Sequence, residues 1–162
     1  MTAMIKTRIH WDIGTAYDLF ISLRILHDPE RYGVRASWAA GVRSRVSAEN
    51  RDILDKAALL RLIPLTFVYS LNQPKDAAQL MAKLRSIPTS EILETLTIQP
   101  DMPVELKDLF LSTTAGKKWT QGETQIFVQR FGWEDNKQTR QIILTLNEVW
   151  ANRKEFGEKL IP

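Results

Sequence analysis

His10 and His27 are the only imidazoles in a chain of 162 residues, and there is no cysteine. That inventory removes thiol nucleophiles, disulfides and thiolate metal sites at once. His10 and Asp12 form an H-x-D pair, which a strand would set on one face as two potential metal ligands. Zinc prefers four ligands, and no cysteine or neighbouring histidine completes the set, so a solvent-facing pair is expected and no metal or cofactor. His27 falls at the end of a helical stretch, where an imidazolium interacts well with the helix dipole. The carboxylate pairs Glu91/Glu94 and Glu134/Asp135 lie on polar segments, whereas acid catalysis needs burial to raise a carboxyl pKa. The nucleophile elbow G-x-S-x-G and the phosphate cradles G-x-x-x-x-G-K and G-x-G-x-x-G are all missing. No catalytic residue is assigned, and the chain is not expected to be an enzyme.

Aromatic and basic side chains offer binding instead. The five tryptophans are Trp11, Trp38, Trp119, Trp133 and Trp150. Packing in the core and at helix junctions is one use for them, with each buried indole N–H seeking an acceptor. The sharper use is an apolar pocket between helices, with Tyr17, Phe20 and Trp38 among its walls and Arg43 beside them. Arg31, Arg35, Arg43 and Arg45 stand in residues 31–46 without one acidic residue, a local balance of +4 that exceeds the +3 of the whole chain. Arg35 and Arg43 lie within roughly 80° of each other on a helix, but Arg43 and Arg45 diverge by about 200°. One coherent phosphate-binding face is not expected, and ion pairs to Asp18, Asp28 or Glu30 account for at least one of these arginines just as well.

Composition sets the outer limits. Hydrophobic residues make up 44% and charged residues 25%, the balance of an ordinary globular domain, which excludes disordered and collagen-like classes. The length fits one domain, 1–162. No uninterrupted apolar run approaches the 18 or so residues of a membrane span, and Met1–Trp11 lacks the apolar stretch of a secretory signal. A cytoplasmic protein without membrane association is expected.

The elements that would carry these side chains are helical. Lys6–Trp11 alternates like a short strand, with 65–71 as its only partner candidate; helix is favoured for 65–71. Thr15 caps a helix that runs to Pro29, apolar on every side except Asp18, Ser22 and Arg24, and therefore expected at the centre of the fold. Residues 34–46 form a helix whose Ala36, Ala39, Ala40 and Gly41 invite close backbone approach. Ser47 starts a third helix with Ile53, Leu54, Ala57, Leu60 and Ile63 inward, ended by Pro64. Pro74 opens a helix in its first turn, with Leu80, Met81 and Leu84 inward, and Pro88 ends it. Thr89 and Ser90 cap a short helix, Glu91–Leu96, and Pro103 opens another. Gly116 breaks the chain at a turn. Thr120 and Glu123 match a capping box before Gln121–Phe131. One long helix covers about 137–156. The expected fold class is all-α, a bundle of about seven or eight helices with at most one short N-terminal strand.

The stretch from Trp11 to Val46 resembles the N-terminal effector-type domain of certain ArsR-like winged-helix transcriptional regulators. The matching residues are Tyr17, Asp18, Leu19 and Phe20, then Asp28, Pro29 and Glu30, then Trp38, Ala39, Ala40, Gly41, Val42 and Arg43. They span the first quarter of the chain, and the later helices match in type only. The resemblance implies a helical regulatory domain ahead of a DNA-binding winged helix. No hairpin pattern follows residue 47 as a wing would require, and the cysteines of metal-sensing relatives are missing. The chain is therefore expected to be the front part of a longer regulator, contacting DNA only through a segment absent from it. Its expected partners are a second copy of itself and a small-molecule effector. Two other readings stand beside this one: direct nucleic-acid binding through Arg31–Arg45, and an enzyme with an unrecognised site.

Overall fold

The computed structural model describes residues 11–60 and 64–161, and among these residues the chain is all-α, with ten α-helices and no strand. In order they are α1 (Thr15–His27), α2 (Ala36–Arg43), α3 (Ala48–Leu59), α4 (Leu65–Tyr69), α5 (Ala77–Arg85), α6 (Thr89–Thr97), α7 (Val104–Leu111), α8 (Gln121–Phe131), α9 (Lys137–Ala151) and α10 (Arg153–Leu160). A 3₁₀ turn, Glu30–Tyr32, joins α1 to α2. The strand expected at Lys6–Trp11 lies, up to His10, outside the described residues, as does Ile63.

Side-chain caps set several boundaries. Ser47 accepts from the Asn50 N–H, Asp76 from Gln79 and Asn136 from Thr139. Each satisfies a backbone donor that the first helical turn leaves unpaired. The capping box at Thr120 forms with both of its hydrogen bonds. Pro74 does not open α5; the helix begins at Ala77, because Asp76 supplies the cap. α6 starts at Thr89 itself, directly after Pro88. Thr15 is likewise the first helical residue rather than the cap, since α1 borrows an acceptor from elsewhere: the Lys75 carbonyl takes the Ala16 N–H at 3.1 Å. Gly14 permits that approach, because a Cβ there would stand 2.1 Å from the Lys75 oxygen.

The core gathers on the inner faces of nine helices, from Ala16 to Phe156. At one end, aromatic rings of α7, α8 and α9 stack. Phe110 lies 4.5 Å from Trp150, and Phe127 lies 4.8 Å from Trp119, centroid to centroid. Trp119 donates its N–H to the Thr113 hydroxyl at 2.8 Å, whereas the buried Trp150 N–H has no partner among the described residues. α10 packs on α6 more extensively than any other helix pair. Gly157 makes this possible, since a Cβ there would reach within 2.1 Å of the Thr89 carbonyl oxygen.

Three departures from the sequence reading have physical causes. α1 is not central: only Ala16 and Phe20 are buried, and Ile21 is 39% exposed. A helix apolar all round is buried only where neighbours surround it, and those of α1 leave one side open. The helix expected over 137–156 divides at Asn152, whose side-chain amide donates to the Glu148 carbonyl at 2.9 Å while its backbone leaves the helical region. Such local side-chain bonds compete with helix continuation. That division, together with the separate short α4, raises the helix count above seven or eight. α2 packs on α1, but only its Ala39 is buried; Ala36, Ala40 and Gly41 are exposed, so the small-residue set is not a shared contact face.

Candidate functional site

Tyr17, Phe20, Trp38 and Arg43 do not converge. Tyr17 donates its hydroxyl to the Asp12 carboxylate, which also takes the Lys75 ammonium at 2.6 Å. Lys75 is buried, donates to the Tyr69 carbonyl and lies over the Tyr69 ring. Lys75 and then Tyr17 hold the Asp12 carboxyl below its usual range; burial and then Asp12 push the Tyr17 phenol up to about 12. Every acid and base of this cluster is engaged by another, and the cluster ties the approach to α1 onto the loop before α5. His10, the other half of the H-x-D pair, lies outside the described residues. Trp38 is 51% exposed on α2.

Arg43 meets Asp55 of α3, not Asp18, Asp28 or Glu30. Both guanidinium N–H groups reach the carboxylate at 2.7 Å, and His27 Nδ1 stands 3.3 Å from the same carboxylate. Arg43, and less strongly His27, keep the Asp55 carboxyl below its ordinary value against the opposing effect of burial. A carboxyl whose folded pKa is depressed stabilises the fold above its unfolded value near 4 and loses that contribution as pH falls through the folded value. Asp55→Asn should therefore lower the stability at pH 7 by about 1 kcal/mol, both partners being a third exposed. The gap from the parent protein should shrink as the pH is taken below about 4. Urea unfolding at pH 7, 4 and 2.5 measures it; a gap that stays constant would mean that the ion pair contributes nothing.

The pocket expected between α1 and α2 forms on another side of α1. A cavity of about 160 Å³ opens between α1, α3, α5 and α6, with the end of α10 along one wall. Phe20 and Leu23 of α1, Ala57 and Ala58 of α3, Met81 of α5 and Leu96 of α6 are among the residues that line it. Of the four residues expected at a pocket, only Phe20 lines it. The void follows from volume: two alanines on α3 stand where larger side chains would meet the leucines of α1. The adjacent pair Ala57-Ala58 was the available signal, hidden because alanine reads as an ordinary helix former. Among the described residues, Arg24 is the only charged one in the lining.

Arg24 and Ala58 also line a second, more polar pocket of about 240 Å³ on the other side of Arg24. Its other walls include His27, Asp28, Arg31, Tyr32 and Trp133. The paired carboxylates Glu91/Glu94 and Glu134/Asp135 are exposed. Among the described residues no group of three or more His, Asp or Glu could hold a metal ion, and no helix is long and apolar enough to cross a membrane. No family model, curated protein or solved structure matches the chain.

Proposed function

We propose that this chain is the regulatory part of an ArsR-like transcriptional regulator, a helical body that takes a small apolar effector and pairs with a second copy of itself. The observation that carries the reading is the apolar cavity on α1. Its volume is close to that of engineered apolar cavities, about 150 Å³, that bind benzene. α1 also holds the Tyr17–Phe20 part of the resemblance. The large apolar side chains left uncovered on and after this helix, Ile21, Tyr32 and Trp38, favour self-association. DNA contact then belongs to a winged helix outside this chain. Engagement of Arg43 by Asp55 leaves the Arg31–Arg45 segment poorer in free charge than its sequence suggests, and so weakens the direct-binding alternative.

The test uses the complete gene product that contains this chain and duplex DNA from upstream of its own gene. The expected result is a dimer in sedimentation that binds the duplex, with binding altered by a benzene-sized apolar ligand. Ala58→Phe, which fills the cavity, should abolish that response while circular dichroism and DNA binding stay unchanged. A gene product without affinity for DNA overturns the regulator reading. So does salt-sensitive duplex binding by residues 1–162 alone, which would restore the Arg31–Arg45 interface. A cavity-filled variant that still responds overturns the assignment of the pocket.

A further inference from the structure

We infer that the ligand of this cavity is a small monocarboxylic acid with an apolar body of about one aromatic ring, its carboxylate held by Arg24. The inference rests on the proposed effector pocket and names the chemistry that the pocket would select.

Among the described residues the cavity wall is apolar but for one. Arg24 is half-buried in the last turn of α1 and makes no side-chain hydrogen bond or ion pair among the described residues. Its nearest candidate along the helix, Asp28, is exposed and forms no ion pair among them. The neighbouring arginine, Arg43, shows the contrast, since its fork is fully taken by Asp55. A guanidinium held partly out of water without an anion is a costly arrangement, and it becomes favourable when a carboxylate supplies two parallel hydrogen bonds. Arginine matches that planar geometry better than lysine could.

Arg24 also stands where the two pockets meet. On one side is the apolar cavity, on the other the polar pocket to which Arg31 and His27 contribute. Asp28 is the acidic residue on that polar side, set against Arg24 and Arg31, and His27 leans on Asp55. The basic excess at this boundary favours one negative charge on the ligand. An apolar ring in the cavity and a carboxylate at its polar edge satisfy both sides. A neutral hydrocarbon would leave Arg24 unanswered, and a polyanion would have to bury charge against leucines.

Titration of residues 1–162 with 3-phenylpropionate and with its neutral counterpart 3-phenyl-1-propanol tests this at low salt and pH 7.5. The acid should bind at least tenfold more tightly than the alcohol. In Arg24→Gln the acid should lose that advantage while the alcohol binds as before, and Arg24→Lys should fall between. In the unaltered chain, the Arg24 Nε–H resonance should move with the acid and not with the alcohol, which decides the matter even where a variant folds poorly. Equal binding of acid and alcohol overturns the inference and leaves the apolar pocket standing. Tighter acid binding that survives Arg24→Gln also overturns it, because the carboxylate then sits elsewhere. Binding of neither probe removes both the inference and the pocket on which it rests.

Discussion

Gly157→Ala should destabilise the protein by about 3 kcal/mol, although the same exchange inside a helix ordinarily gains up to about 1 kcal/mol. The sign reverses because of where α10 lies. A Cβ at this position would stand 2.1 Å from the Thr89 carbonyl oxygen and 3.0 Å from the Thr89 carbonyl carbon. Those atoms are backbone at the first residue of α6 and cannot swing aside as a side chain would. The whole of α10 would have to lift, and with it Phe156, which is 5% exposed. Gly41 is the matched control: it lies in α2 with nothing within 4 Å of its would-be Cβ. Gly41→Ala should raise stability by about 0.5–1 kcal/mol. Urea midpoints of the two variants test the pair, and a Gly157→Ala protein as stable as the parent would show that the α6–α10 contact is loose.

Trp150→Ala should cost about 4 kcal/mol, the upper part of the range for large-to-small core substitutions. The ring is fully buried in α9 and stacks on Phe110, which in turn meets Phe127 edge-on at 5.5 Å. Removing it leaves a void beside Phe110, which stays held by Trp119 and Phe127 and so cannot easily move to fill it. Trp150→Phe should cost far less, about 1–1.5 kcal/mol. It keeps a stacked ring and removes an indole N–H that has no acceptor among the described residues, a group whose burial is itself unfavourable. Chemical unfolding measures both, and near-ultraviolet circular dichroism should collapse only for the alanine variant. An alanine variant within 1 kcal/mol of the parent would place the centre of the core elsewhere.

Periodicity and caps made the helices legible, but not their depth. Thr120 and Glu123 announce α8 because a capping box is a local device whose partners are three residues apart. Pro103 and Gly116 bracket the α7 region for the same reason: each acts on its own backbone. The Lys75 carbonyl that caps α1 is 59 residues away from Ala16, and no pattern around Thr15 could reveal it. The burial of α1 was misjudged because apolar content measures what a helix could bury, while the number of neighbours decides what it does bury. The break at Asn152 was overlooked because the apolar stripe runs through it from Val149 to Phe156. Of the four residues the sequence offers for a pocket, Phe20 lines this cavity, while Tyr17, Trp38 and Arg43 lie outside its lining. Arg24 reads in sequence as a polar interruption of α1, since a position between two pockets is a property of several packed helices rather than of one.

The tryptophans divide in a way that has an optical consequence. Trp119 and Trp150 are enclosed, while Trp11 is 91% exposed and Trp38 is half in solvent. Iodide should therefore quench the emission of the second pair and spare the first, splitting the fluorescence into a red-shifted accessible part and a blue-shifted protected part. Loss of the protected part follows collapse of the α7–α9 stack, and shielding of Trp38 follows whatever comes to rest on α2, so one spectrum separates unfolding from association.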